Sequence, residues 1–285
     1  MRRLAAMTEF VLPALLTFLI AVVVTPPVAR FATSLGIVDR PGGRRIHKKI
    51  TPRLGGLAVV IAFFAVFAFF VPDLEPHFKS NQLLVFALAS ALLVGVGFLD
   101  DRRGVPAGWQ LASHVTVALA LVAVGMGIEE VTNPFGGKLA LDQWQLPVPG
   151  LSGHDVQLPA DLLTVAWVVL VINAVNWLDG LDGLASGVGL ISAATIALLS
   201  VSAVVNQPHV ATLALLLVGS LAGFLLYNFH PARIFLGTIG STFVGFTIAT
   251  LAIISGGKIA TALLVLGFPI LDTLAVLVRR AALGV

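Results

Sequence analysis

Cysteine is absent from the 285-residue chain, so no disulfide, thiolate nucleophile or cysteine-ligated metal is available. Charge is nearly as scarce. Only 11% of the residues are Asp, Glu, Lys or Arg, against 58% hydrophobic, whereas a soluble domain carries roughly 25% charged residues. That composition excludes a water-soluble enzyme. A net charge of +3 is also too small for the electrostatic footprint of a nucleic-acid-binding protein. In so apolar a chain a basic excess reports membrane topology. A cleavable signal peptide is missing too. The apolar run after Arg2 and Arg3 is too long and has no small-x-small site, so it reads as a retained transmembrane helix.

What is present is a series of uncharged runs long enough to cross a bilayer, which takes about 17–25 residues. Nine candidates stand between charges: 10–29, 54–72, 80–99, 107–128, 162–178, 184–205, 210–227, 237–257 and 259–278. The sixth and seventh come from one uncharged stretch, divided at the polar turn Asn206-Gln207-Pro208-His209. Residues 129–161 form the one long loop. Its Pro134-Phe135-Gly136-Gly137, followed by alternating Lys138-Leu139-Ala140-Leu141-Asp142, predicts a small β-hairpin on the membrane surface. The expected fold is an all-α polytopic membrane protein of about nine helices, a single domain over 1–285, with that hairpin on the extracytoplasmic side.

The basic residues set the orientation. The segment 30–53 holds Arg30, Arg40, Arg44, Arg45, Lys48, Lys49 and Arg53. If it is cytoplasmic, alternation brings Arg102, Arg103, Arg233, Arg279 and Arg280 to the same side. Arg2, Arg3, Lys79, Lys138 and Lys258 then lie outside. The positive-inside rule favours this arrangement, with the N-terminus outside.

Five carboxylates then share the cytoplasmic side in short segments at helix ends: Asp39, Asp100, Asp101, Asp179 and Asp182. Adjacent Asp100 and Asp101 repel and favour a cation nearby. Alone, they are better explained as a solvated helix end neutralised by Arg102 and Arg103. The second segment shifts the balance. Asn173, Asn176, Asp179 and Asp182 recur every third residue, so successive members step about 60° around a helix and cannot share one narrow face. Gly180 and Gly183 predict that the helix ends there. Asn and Asp oxygens are hard ligands suited to Mg²⁺, and polar groups at a membrane helix are functional by default. Helix–helix hydrogen-bond glue is the alternative, but glue requires neither two Asp nor two Gly. A third segment, Asn228 to Ser241, enters a helix through Gly237-Thr238-Ile239-Gly240. Free N–H groups at that helix start would suit a phosphate, or Ser241 would cap a plain packing turn.

These segments, in this order, are familiar. Val38-Asp39-Arg40-Pro41, Arg45-Ile46-His47-Lys48 and Thr51-Pro52-Arg53-Leu54-Gly55-Gly56 resemble the first cytoplasmic loop of the polyprenyl-phosphate N-acetylhexosamine-1-phosphate transferases. That superfamily includes phospho-N-acetylmuramoyl-pentapeptide transferase. Gly97-Phe98-Leu99-Asp100-Asp101, Asn173 to Ala185, His230 to Gly237, and Pro269-Ile270-Leu271-Asp272-Thr273 continue the resemblance over nearly the whole chain. The wall-polysaccharide branch using UDP-N-acetylglucosamine is the more similar. The resemblance implies transfer of a sugar-1-phosphate from a UDP-sugar to polyprenyl phosphate, releasing UMP, with Mg²⁺ or Mn²⁺ as cofactor. It implies a bacterial cytoplasmic membrane, a cytoplasm-facing active site, and leaves a homodimer open. By the same resemblance Asp39 lies by the lipid phosphate, and Asp100 and Asp101 line the catalytic cleft. Asn176 and the Thr238 position hold the metal. Asp182 contacts uridine, Phe235 stacks near uracil, and Asn173, Asp179, Arg45 and His47 bind substrate.

The chain departs from the family pattern in three ways. Thr238 stands where the family's Gly-Asp-x-Gly-Ser turn has its metal-binding Asp, and Gln110 stands where a Lys usually lies near the phosphates. The matching motifs also run out before the family's His-rich cytoplasmic loop and last helices. Two other expectations follow: an impaired homologue that still binds polyprenyl phosphate or nucleotide, and a secondary transporter using intramembrane carboxylates. The acids cluster at one membrane face rather than mid-membrane, which ranks the transporter last.

Overall fold

The computed structural model describes residues 2–40, 50–78, 81–132, 138–141, 143–146, 156–203 and 205–255, with isolated positions 267, 271, 275, 278 and 279. Among them eight helices run in alternating directions. They are α1 (Arg2–Ser34), α2 (Gly55–Leu74), α3 (Gln82–Arg103), α4 (Ala107–Ala123), α5 (Leu158–Leu178), α6 (Leu184–Val201), α7 (Pro208–Asn228) and α8 (Gly237–Ile254). Seven are long and apolar enough to cross a membrane, and α4 is a shorter apolar helix. The expected ninth span, 259–278, and the Pro269-to-Thr273 motif lie outside the described residues.

The uncharged stretch does break where expected: α6 stops at Val201 and α7 starts at Pro208. The fourth span is shorter than predicted. It ends at Ala123 because Gly125 takes φ +69° and turns the chain out of the helix. At that end β3 (Glu130–Thr132) pairs antiparallel with β4 (Lys138–Ala140), Val131 opposite Leu139, which is the expected hairpin. A second ribbon pairs β5 (Gln145–Leu146) with β6 (Val156–Gln157).

Helix α8 is the centre of the bundle. Every residue from Gly237 to Ile253 is buried, whereas α1 leaves Val11, Leu15, Leu19 and Val23 exposed. Apolar on all sides, such helices are stable only inside protein or lipid. Phenylalanines lock α2, α3 and α8 together: Phe63 meets Phe243 edge-on at 5.4 Å, and Phe86 stacks on Phe246 at 5.5 Å. Above that cluster small residues allow backbones to touch. Gly56 and Gly240 leave no space between α2 and α8, and a Cβ on Gly97 would lie 2.7 Å from the Ile239 backbone. The start of α8 is thereby held against α2 and α3.

Candidate active site

The ends of α1, α3, α5 and α7 and the starts of α2 and α8 meet at one face of the bundle. Between α1 and α2, β1 (Val38–Asp39) pairs with β2 (Thr51–Pro52), Asp39 opposite Thr51. Pro52 O accepts from Phe235 N at 2.8 Å. Phe235 O and Leu236 O accept in turn from Gly55 N (2.9 Å) and Gly56 N (2.7 Å). This backbone junction joins the Asp39 and Phe235 segments where α8 begins.

Gly237 opens α8 with φ +72° and has Arg53 O and Asp101 Oδ2 beside its Cα, so no side chain fits there. Asp101 caps the helix from α3. Its Oδ1 accepts from Thr238 N at 3.1 Å and its Oδ2 from Ile239 N at 3.3 Å. Arg53 Nη2 lies 3.7 Å from Asp101 Oδ1, whose side chain is fully buried. Asp179, just past α5, lies beside the Gly237 N–H, which favours its ionised form. The N–H groups of Thr238 and Ile239 are thus taken by Asp101 rather than left free for a phosphate, which corrects that expectation. The cap is Asp101, not Ser241. Ser241 lies inside α8, where its hydroxyl donates to Asn176 Oδ1 at 2.7 Å.

Asp100 has different partners. Its Oδ1 accepts from Val105 N and from Gln110 Nε2, both at 2.8 Å, and its Oδ2 from the Thr238 hydroxyl at 2.6 Å. Asp182 Oδ2 accepts from Ala232 N at 3.0 Å and pairs with His230 Nδ1 at 2.8 Å. The loop before α8 is held further by Asn228. It accepts from Ser186 at 2.6 Å and donates to Ile234 O at 3.0 Å.

The structure therefore gathers Asp100, Asp101, Asn176, Asp179 and Thr238 around the start of α8, with Asp39, Asp182 and Phe235 on the adjoining segments. Asn173 is turned elsewhere. Its amide meets His114 of α4 at 3.2 Å and Val169 O at 2.7 Å, one turn below the cluster. Arg45 and His47 lie outside the described residues. Sequence reasoning missed Arg53 and Ser241 as partners of the site, and marked Gln110 as a departure near the phosphates without its partner; the Gly55-Gly56 pair following Arg53 was the available signal.

Comparison with known proteins decides the family. The sequence model described as "Glycosyl transferase family 4" matches residues 83–256. The chain is 32% identical over 281 residues to a probable undecaprenyl-phosphate N-acetylglucosaminyl 1-phosphate transferase of Bacillus subtilis, covering 96% of this chain and 72% of that protein. It belongs to glycosyl transferase family 4. A decaprenyl-phosphate N-acetylglucosaminephosphotransferase of Mycobacterium tuberculosis is 35% identical over 305 residues, covering 97% of this chain and 72% of its own length. A phospho-N-acetylmuramoyl-pentapeptide-transferase of Moorella thermoacetica is 33% identical over 280 residues, 96% of this chain and 84% of that one. With seven helices among the described residues long and apolar enough to cross a membrane, and with bacterial relatives, this family member is a bacterial membrane protein.

The family resemblance implies a divalent cation, and the donor set here fits one poorly, because Thr238 puts a neutral hydroxyl where the pattern has a carboxylate. Among the described residues no three His, Asp or Glu side chains gather as ligands. Both Asp101 oxygens cap α8, both Asp100 oxygens accept from protein donors, and Asn176 Oδ1 accepts from Ser241.

Asp179 carries a pH signature. Burial, and then the negative charge of Asp101, push its pKa well above the ordinary carboxylate range; the Gly237 N–H and Arg53 pull the other way. The native state then holds a proton that the unfolded chain has lost. The residue costs stability above its native pKa, and the cost fades as pH falls toward the unfolded value. Asp179→Asn is expected to raise the Tm at about pH 8 and to lose that advantage by about pH 4. Thermal melts across this range check it, and an advantage independent of pH would count against the assignment.

Proposed function

We propose that this chain, as one membrane domain, transfers N-acetylglucosamine-1-phosphate from a UDP-sugar to polyprenyl phosphate. UMP is released, and the step initiates a cell-wall or surface polysaccharide. The observation that carries the reading is the gathering of Asp100, Asp101, Asp179 and Arg53 around the buried start of α8, at relatives' identities above 30%. The positive-inside bias supports a cytoplasm-facing site and an N-terminus outside.

The acceptor phosphate is already largely ionised near neutral pH, its second pKa being about 6, so no side chain need act as a general base. The residues position the reactants instead, which is where most of the catalysis in phosphoryl transfer arises. Arg53, 38% exposed, offers five N–H donors and a fixed positive charge to the diphosphate. Asp182, held by Ala232 and His230, and Phe235 are the uridine contacts. Asp39 lies by the lipid phosphate, and Arg45 and His47 complete the substrate set, whereas Asn173, bonded to His114 and Val169 O, is left out of it. Asp101 and Asp179 hold α8 and the loop before it in place.

The Thr238–Asp100 hydrogen bond favours a second reading, in which the chain binds polyprenyl phosphate or nucleotide with little turnover. Purified protein, polyprenyl phosphate and radiolabelled UDP-N-acetylglucosamine separate the two. The assay is run with and without Mg²⁺, because the resemblance implies the ion and the Asp100 hydrogen bonds argue against it. Labelled lipid and released UMP are the expected result. Nucleotide binding without labelled lipid would replace the first reading by the second.

A further inference from the structure

We infer that Thr238 and Gln110 together stand in for a divalent cation at Asp100, so that this chain binds its UDP-sugar without a resident metal ion. The nucleotide half of the inference rests on the proposed function; the metal half does not.

Two residues that depart from the family pattern meet on one carboxylate. Gln110 comes from α4 and Thr238 from α8, and both bond Asp100 of α3, at 2.8 and 2.6 Å. Relative to the Lys and Asp of the pattern, each has lost a charge, and the lost charges have opposite signs. A carboxylate at position 238 would face Asp100 at close range, and repulsion would call for a cation between them. A hydroxyl removes the repulsion and supplies a proton. The Val105 N–H, also 2.8 Å away, brings the donors on Asp100 to three, against roughly four lone-pair sites.

The Thr238–Asp100 distance points the same way. Mg²⁺ binds oxygen at about 2.0–2.1 Å in near-ideal octahedra, which places neighbouring ligand oxygens about 2.9 Å apart. At 2.6 Å the pair lies instead in the range of a charge-assisted O–H···O⁻ bond, about 2.5–2.7 Å. For Thr238 to ligate an ion shared with Asp100, its proton would have to turn away and the bond would be lost.

Electron paramagnetic resonance of Mn²⁺ with the purified full chain tests the metal half, with no nucleotide added. The wild-type protein is expected to leave Mn²⁺ free in solution. The double variant Thr238→Asp/Gln110→Lys is expected to show bound ion and a Tm raised by about 5 °C with saturating Mn²⁺. Thr238→Val keeps the volume and removes the hydroxyl; it should still leave Mn²⁺ free and should melt earlier than wild type. Calorimetry with UDP-N-acetylglucosamine, in EDTA and in Mn²⁺, should give affinities equal within about twofold. Stoichiometric Mn²⁺ on the wild type, lost in Asp100→Asn, would overturn the inference, as would an affinity raised about tenfold or more by Mn²⁺. A folded double variant that binds no Mn²⁺ would overturn the role given to Thr238 and Gln110. Absence of nucleotide binding in both buffers would sink the proposed function and the nucleotide half, and leave the Mn²⁺ result to decide the rest.

Discussion

Asp101→Ala is expected to abolish sugar-phosphate transfer and to lower the Tm by about 6 °C or more. The carboxylate joins α3 to α8 through two N–H groups and faces Arg53 at 3.7 Å. Alanine leaves the Thr238 and Ile239 N–H groups buried and unpartnered, at about 1–3 kcal/mol each, and removes the cap. Arg53 adds little to that loss, because its side chain is 38% exposed and water can solvate the released charge. About 3 kcal/mol corresponds to roughly 6–12 °C in a domain of this size class. Transfer should fall further than stability does. The cap fixes where α8 begins, and with it Thr238 and the loop carrying Phe235. Displacement of about 1 Å costs on the order of 100-fold in such sites. Asp101→Asn retains one acceptor oxygen and should recover part of the Tm. Melts together with the radiolabel assay check both variants, and an Asp101→Ala protein that melts with the wild type would refute the capping role.

That prediction was not legible in the sequence, although Asp101 was. Runs between charges located the helices because lipid tolerates so few charges, and the polar turn at Asn206 to His209 marked the break between α6 and α7. The three-residue spacing of Asn173, Asn176, Asp179 and Asp182 correctly implied different directions. The partners were hidden because each comes from a distant helix: His114 for Asn173, Ser241 for Asn176, Gly237 for Asp179, and the His230–Ala232 turn for Asp182. The segment 237–241 was misread for the same reason. A glycine-rich helix start reads as a phosphate cradle or a serine cap by local rules. The bonds that decide between them span 137 and 138 residues of chain. Gln110 could be noticed as a departure from a family pattern, but only the fold brings it and Thr238 to the same carboxylate.

A pair of glycines two residues apart on α3 separates the packing that builds the site from the helix that carries it. Gly97→Ala is expected to cost about 1–3 kcal/mol by overpacking and most of the transfer activity. Gly95→Ala should leave activity intact and should not lower the Tm. A Cβ on Gly97 would lie 2.7 Å from Ile239 Cα and N and 3.1 Å from Thr238 C, all backbone atoms that no rotamer can move aside. One added to Gly95 meets nothing within 4 Å, and alanine there gains helix propensity. The clash must push α3 away from the start of α8. Asp100 and Asp101 lie one turn further along α3, so the same displacement stretches the 2.6 Å bond to Thr238 and the 3.1 and 3.3 Å caps. Stability and activity should therefore fall together in Gly97→Ala, and neither in Gly95→Ala. Were both variants to melt and turn over like wild type, the backbone contact of α3 with α8 could not be what positions the carboxylates.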